Sequence, residues 1–305
     1  MVPPMCPVLD QAPSTCAWCS APLNGTPATR PGRTVCGACG VATTTPWPTD
    51  AELERAYGGP YRPSVGRFAG PGDALLRRSR ARLARRLDRL APPGPILDVG
   101  AGDGALVNAL ARRGRDVTGL EREGSGAHIR AGDIGELDGE WAAIVFWHSL
   151  EHLRAPGAAL DRAARLLAPG GILVVAVPNS DSLQAQAFGD RWLALDLPRH
   201  LVHVPAGALL DRLRAAGLRV ERVSHLRGGQ VLFGWLHGIV GSLPGTPDLY
   251  DAIRRPAARS RPMSPGVRAA TLAAGALAFP LAAAGTALEV VTRRGGSIYV
   301  EARRG

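Results

Sequence analysis

The chain of 305 residues carries 36 Lys+Arg, every one of them Arg, against 26 Asp+Glu, for a formal net charge of +10. Its 46% hydrophobic and 20% charged residues exclude wholesale disorder. At about 150 residues per domain, the length suggests two domains or one domain with additions.

The basic balance does not by itself mark a nucleic-acid binder. Arg in place of Lys, beside abundant Ala, Gly and Pro, is the signature of a high-GC coding bias. The densest basic run, 75–90, has seven Arg and no aromatic side chain to stack on bases. It reads as a solvated helix face, and no nucleic-acid partner is expected. Residues 1–9 have neither a basic start nor an apolar core, so no export signal is expected and a cytoplasmic, reducing compartment is.

In chain order, the first 50 residues are rich in Pro, Thr and Cys and show little periodicity. A short helix over 50–57, with Asp50 as its N-cap, precedes a Gly/Pro stretch. Residues 73–90 form a helix, with Leu75, Leu76, Leu83, Leu87 and Leu90 close to helical spacing. Strands are then predicted at 95–99, 116–120, 142–147 and 171–177, with helices at 105–113 and 156–167 between them. Helix 205–216 and strands 218–226 and 297–302 complete the pattern. This alternation implies a parallel sheet with helices on both faces.

The run Asp98-Val-Gly100-Ala101-Gly102-Asp103-Gly104 joins the first strand of the sheet to a helix. That junction is where open α/β sheets bind nucleotides. The spacing is G-x-G-x-G, and two flanking carboxylates would repel a pyrophosphate. They suit a ligand with an ammonium and no phosphate. Glu121 closes the second strand, where a carboxylate can accept hydrogen bonds from two ribose hydroxyls.

These residues resemble the first motif and ribose acid of the class I S-adenosylmethionine-dependent methyltransferases. Gly132-Asp133-Ile134 is similar to their adenine-contacting segment. Trp147-His148-Ser149-Leu150-Glu151-His152-Leu153 resembles the segment after their fourth strand, and Leu167-Ala-Pro169-Gly170-Gly171 their approach to the fifth. The resemblance implies a Rossmann-like seven-stranded sheet and S-adenosylmethionine as cofactor. It assigns Asp98, Gly100, Ala101, Gly102, Gly104, Glu121, Asp133, Ile134 and Trp147 to the cofactor. One departure stands out: only seven residues, 122–128, join the second strand to the third, where a crossover usually takes a dozen or more.

Cys16-x-x-Cys19 and Cys36-x-x-Cys39, 16 residues apart, fit a zinc ribbon. Four thiolates close a tetrahedral site, so the expected zinc is structural. Cys6 is a fifth, unpaired Cys. With Pro46-Trp-Pro48-Thr-Asp50-Ala-Glu52 and Tyr57, the motif resembles a bacterial methyltransferase group with an N-terminal ribbon, some of which act on sugars. Arg30 and Arg33 are too few for a ribbon that binds nucleic acid.

His148, Glu151 and His152 read H-x-x-E-H, also a zinc-protease pattern. That reading is rejected, because the pattern leaves a buried strand and has no third zinc ligand. Ubiquinone-pathway O-methyltransferases carry E-x-x-E-H here, which helps bind a divalent cation, and His148 replaces their first Glu. The resemblance therefore leaves a divalent cation as a weakened candidate, and the plainer reading has Glu151 and His152 beginning the next helix. Residues 178–205 are too long for a turn and should cover the ligand. They supply His200, which with His152 and then His148 is a candidate general base for a hydroxyl acceptor. Arg199 is a candidate for an acidic or phosphorylated substrate.

Between the last two strands lies an insertion with two apolar stretches, 231–243 and 269–288. The second is long enough to span a bilayer, but half of it is Ala, with Gly275, Pro280 and Gly285 inside. A helical pair packed on the domain or lying in a membrane interface fits better, with Arg254, Arg255, Arg259 and Arg261 near anionic lipid.

The expected organisation is a zinc-ribbon module (1–50), a helical linker or lid (51–92), the methyltransferase core (93–227 and 295–305) and an apolar helical insertion (228–294). The expected reaction is O-methylation of a small-molecule, sugar or lipid-linked glycan acceptor, in a cytoplasmic protein with peripheral membrane contact. The rivals are a sugar C-methyltransferase and a non-catalytic membrane scaffold.

Overall fold

A computed structural model describes residues 14–23, 32–58, 66–122, 124, 126–226, 229–245 and 248–305. Residues 1–9, Cys6 and Arg30 lie outside them. The Cys segment forms a hairpin of β1 (Arg33–Val35) and β2 (Ala42–Thr44), followed by α1 (Asp50–Tyr57) and α2 (Gly72–Leu90). The α/β alternation then runs β3 (Ile96–Val99), α3 (Ala105–Ala111), β4 (Val117–Glu121), β5 (Ile129–Ala131), β6 (Trp141–Trp147), α4 (Pro156–Leu166) and β7 (Leu167–Pro178). After α5 (Leu183–Phe188) and β8 (Val202–His203) come α6 (Ala206–Ala215) and β9 (Leu218–Ser224). The insertion supplies α7 (Gly229–Val240), α8 (Leu249–Ile253) and α9 (Pro265–Val291), and β10 (Ser297–Arg304) ends the chain.

The main sheet has seven strands in the order β5-β4-β3-β6-β7-β10-β9, with β10 antiparallel to both neighbours. Its order reverses between β3 and β6, which opens a crevice at the carboxyl ends of those strands. Period-two alternation divides the core. Val145, Val174 and Tyr299 face α2 and α3 with Leu83, Leu87 and Leu110. Phe146, Val175 and Val300 face α4 and α6 with Leu160, Leu209 and Leu213.

Several local expectations change. Thr49, not Asp50, caps α1: its side chain accepts from the Glu52 N–H while Glu52 accepts from the Thr49 N–H, a reciprocal capping box. Glu151 and His152 occupy a separate 3-10 turn, Leu150–His152, and α4 begins only at Pro156, where proline suits the first helical turn. The short connection after β4 holds no helix among its described residues, yet β5 still pairs parallel to β4. The Arg-rich α2 is not uniformly solvated, since Arg86 reaches the buried Glu301 with two hydrogen bonds of 2.9 and 2.7 Å.

The Cys segment is not a separate bead. Cys16, Trp18, Cys36 and Val41 share one apolar cluster with Leu160 and Leu209. More consequentially, β2 pairs with β8, which belongs to the segment following β7. The three-stranded sheet β1-β2-β8 therefore ties the amino-terminal hairpin to the cover of the crevice.

Candidate active site

Backbone geometry builds the cofactor side. Gly100 has φ 79°, and a Cβ there would fall 2.3 Å from Ser149 Cβ, so only glycine lets the two strand ends meet. The N–H groups of Gly100 and Ala101 both donate to the Leu120 carbonyl. Gly102, φ 58°, has nothing within 4 Å of a notional Cβ, so its backbone faces open space. Its N–H donates to Glu121 Oε2 at 2.7 Å. Ile134 is buried in the core, whereas Asp133 caps its own turn by accepting from the Gly135 N–H. Of the predicted cofactor residues, all but Gly104 line one cavity; Gly104 instead begins α3.

That cavity measures about 3930 Å³. A small-molecule site typically occupies roughly 300–1,000 Å³, so this one has room for more than a nucleoside. The buried Asp98 forms its floor, and burial pushes its carboxyl up to about 7 against the opposing charge of Arg80, with Glu121 and Asp103 adding to the rise. The Arg80 guanidinium lies over the Trp147 ring, 4.8 Å from its centroid. Sequence reasoning missed Arg80. The signal was there, because Arg80 stands three, four and seven residues before the buried Leu83, Ala84 and Leu87, in line with the apolar face.

The opposite wall gathers the predicted histidines. Glu151 is 2% exposed, and neither of its oxygens makes a hydrogen bond of good geometry among the described residues. His148 Nδ1 lies 3.4 Å from Oε1, and His200 Nε2 3.9 Å from it. Burial alone would raise this carboxyl; His148 first, with the charges of His152 and His200, reverses that and holds it at about 2. His148 itself has φ 54°, a conformation costly for a residue with a Cβ and found most often at functional positions.

Hydrogen bonds fix the ring tautomers. His152 Nδ1 is 3.0 Å from the Arg199 carbonyl, which can only accept. Nδ1 therefore carries the proton, shared with Tyr57 Oη at 2.9 Å, and Nε2 keeps its lone pair. His200 Nδ1 likewise donates to the Ala194 carbonyl at 2.8 Å. Its Nε2 is 3.6 Å from Asp196 Oδ2. Burial and the neighbouring His200 push His152 down to about 4. One ligand atom each from Glu151, His152 and His200 falls within 4.8 Å of the others. The H-x-x-E-H spacing drew His148 into such a set, and the fold substitutes His200. Arg199, a candidate for the acceptor, is instead held by Asp196 and the Ala56 carbonyl.

Thr44 on β2, also missed, holds this wall in place. Its hydroxyl donates to the His200 carbonyl at 2.6 Å, its N–H donates to the Leu201 carbonyl, and Leu201 in turn donates to the Glu151 carbonyl. His203 Nε2, 3.2 Å from the same hydroxyl, makes His203 a structural residue buried between β2 and β8.

At the far side of the hairpin the four Cys converge, all four Sγ within 4.8 Å of one another. Cys16–Cys39 and Cys19–Cys36 are each 3.7 Å apart. The edge of a tetrahedron with Zn–S bonds of about 2.3 Å is about 3.8 Å. The two knuckles are alike: Ser20 and Gly40, each following a second Cys, have φ 62° and 72° and donate back to the Cys16 and Cys36 carbonyls. Burial raises the Cys16 and Cys39 thiols. At Cys36 burial acts the same way, but the N–H groups of Ala38 and Cys39 outweigh it and bring the thiol to about 7. This donor set fits a zinc ion.

A seven-stranded sheet with one antiparallel strand, and a glycine loop facing a ribose-type acid across its switch point, define a class I methyltransferase. The sequence comparisons agree. A methyltransferase-domain family model matches residues 74–223. The ubiquinone biosynthesis O-methyltransferase of Xanthomonas axonopodis pv. citri is 30% identical over 180 residues, 51% of this chain and 75% of the relative. That of Xylella fastidiosa is 31% identical over 171 residues, 47% and 70% of the two chains. A solved SAM-dependent methyltransferase from Archaeoglobus fulgidus is 17% identical, with a TM-score of 0.46 covering 76% of this chain and 94% of that one. The chain belongs to the S-adenosylmethionine-dependent methyltransferases, and it is an enzyme.

Proposed function

We propose that this enzyme methylates a hydroxyl oxygen of a small-molecule acceptor, with a sugar or a lipid-linked glycan as the acceptor class. The observation that carries the reading is the buried Glu151 carboxylate ringed by His148, His152 and His200 on the wall facing the glycine loop. S-adenosylmethionine supplies a methyl group made electrophilic by its sulfonium. Glu121 would hold its ribose, Asp98 its ammonium and Arg80 its carboxylate, while Ile134 and Asp133 would flank the adenine. His200 Nε2 would take the acceptor's hydroxyl proton as the methyl group passes to that oxygen and S-adenosylhomocysteine is left behind. His200 suits this role because its Nδ1 donates to the Ala194 carbonyl, which leaves the Nε2 lone pair for the acceptor. His152, held down at about 4, is a poor base and serves to orient. Positioning the two substrates in line supplies much of the remaining barrier reduction. A structural zinc in the four-Cys cluster fixes the hairpin that carries Thr44.

A second reading of the same three groups rests on the Glu151 oxygens, which make no hydrogen bond of good geometry among the described residues. Glu151, His152 and His200 would then hold a divalent cation, whose charge favours an ionised acceptor hydroxyl.

Calorimetry with S-adenosylmethionine on zinc-replete protein tests the cofactor half. Micromolar binding should weaken more than tenfold, about 1.4 kcal/mol, in Glu121→Ala. No binding by folded protein would remove the assignment of the glycine loop and Glu121 to the cofactor. In an acceptor screen among sugars and polyprenyl-linked glycans, His200→Gln should abolish product. Metal analysis separates the second reading: one equivalent lost in Cys36→Ser supports zinc alone, and a further equivalent lost in Glu151→Gln supports the cation.

A further inference from the structure

The long helix of the insertion has two unlike faces. Thr271, Ala282 and Glu289 are buried on one, where Gly285 lies against the Trp235 ring and Gly275 against Leu249. On the other, Leu277, Leu281, Leu288 and Val291 are 84%, 63%, 54% and 81% exposed. Their spacing of 4, 7 and 3 residues sets them in one stripe, with Ala273, Ala284 and Ala287 exposed around it. At about 1.5 Å per residue the 27-residue helix is roughly 40 Å long. Such an uninterrupted apolar stripe is rare on a soluble monomer and marks an interaction surface.

The surrounding charge says what covers it. From residue 253 to 296 the chain has a single acid, the buried Glu289, against seven Arg, of which Arg254 is buried beside Asp251 and Arg255 lies 3.7 Å from Asp73. Arg261 lies before the helix and Arg293 after it, both exposed. An apolar stripe with cations at both ends matches an anionic bilayer surface, where acyl chains meet the stripe and lipid phosphates meet the guanidinium groups. A second copy of the chain would set these Arg collars against each other.

The helix is also held against crossing the bilayer. Glu289 accepts from the Gln184 N–H at 2.8 Å, from Gln184 Nε2 at 2.9 Å and from the Gly296 N–H at 3.0 Å. Reorienting α9 would break all three bonds in a buried site. We propose that α9 docks the enzyme in the plane of an anionic membrane surface through Leu277, Leu281, Leu288 and Val291, with Arg261 and Arg293 engaging lipid phosphates.

Co-sedimentation of the full chain with phosphatidylcholine vesicles, with and without phosphatidylglycerol, tests this directly. Binding is expected only to the anionic vesicles, falling more than tenfold in 0.5 M salt and in Leu277→Glu/Leu281→Glu. Arg261→Ser/Arg293→Ser, which leaves the apolar face intact, should weaken it severalfold. S-adenosylmethionine binding measured on the same proteins shows that the fold survives, independently of lipid. Equal binding to neutral vesicles, no binding to either, or a dimer in light scattering that Leu277→Glu/Leu281→Glu disperses would each overturn the proposal.

Discussion

The two walls of the cavity are built by different means. The cofactor wall comes from the carboxyl ends of adjacent parallel strands, β3, β4 and β6, with Arg80 the contribution from α2. Strand pairing alone brings Gly100 beside Ser149 and Glu121 beside Gly102. The wall proposed to face the acceptor is assembled from segments far apart in the chain. Tyr57 on α1 meets His152 across 95 positions, and Thr44 meets His200 across 156. The four-Cys hairpin is the device that makes the second assembly hold, because its strand β2 carries the cover strand β8. A cofactor shared across a class can be met by the sheet itself, whereas an acceptor particular to one enzyme is met by added parts.

Disrupting the hairpin should separate the walls most sharply. In zinc-finger peptides a structural zinc contributes about 10–16 kcal/mol of binding free energy that is also folding free energy. Cys36→Ser, or chelation, should therefore free the β8 segment, abolish turnover and open the 178–205 region to protease. S-adenosylmethionine affinity should stay within about threefold, since the pairing of β3 with β4 and β6 positions Asp98, Gly100 and Glu121. A loss of cofactor binding in folded Cys36→Ser protein would contradict the division.

Glu151→Gln tests the acceptor wall alone. It keeps the shape and removes the buried charge that lies between His148 and His200. Turnover should fall at least a hundredfold, within the range for general acid–base groups of about 10² to 10⁴, with unchanged cofactor affinity by calorimetry.

The same contrast explains what the sequence disclosed. Asp98, Gly100, Gly102 and Glu121 were legible because their neighbours in space are fixed by strand order, which the α/β alternation already implies. The seven-stranded sheet and the position of the insertion were legible for the same reason. Thr44 was not, because nothing in a Thr-rich run says that Thr43 and Ala42 will pair with Val202 and His203 and so set Thr44 against His200. The two-residue strand β8 is too short to show a period. His152 and His200 stood out only as residue types; that they share one carboxylate depends on the fold of 178–205. Arg80 hid among seven Arg whose outward-facing members set the impression of the whole helix.

A pH effect sharpens the cofactor wall. In the ligand-free protein the Asp98 carboxyl is raised to about 7, above its unfolded value of about 3.9. Its folded state therefore binds the proton more tightly. The stability this contributes is complete below about pH 4 and is lost as pH rises through 7. Between pH 6 and 8 the loss is about 1.4 kcal/mol. Thermal unfolding of ligand-free protein should show that fall, and Asp98→Asn should flatten it. S-adenosylmethionine should also flatten it, because its ammonium favours the ionised carboxylate.

Thr44→Val asks for the smallest effect and the most specific one. It removes a hydroxyl that donates to the His200 carbonyl and lies 3.2 Å from His203 Nε2, both in a buried site. The net cost of such a hydrogen bond is about 1 kcal/mol, so the melting temperature should drop by a few degrees at most. The informative reading is kinetic. Thr44 touches neither cofactor nor acceptor in this arrangement; it positions the chain that carries His200. Its loss should therefore lower kcat severalfold while leaving cofactor affinity unchanged, and Thr44→Ser, which keeps the hydroxyl, should restore kcat. If Ser fails to restore what Val removes, the methyl group's packing rather than the hydrogen bond sets the position of His200. The link between the Cys hairpin and the acceptor wall would then run through the apolar contacts of β2 and β8.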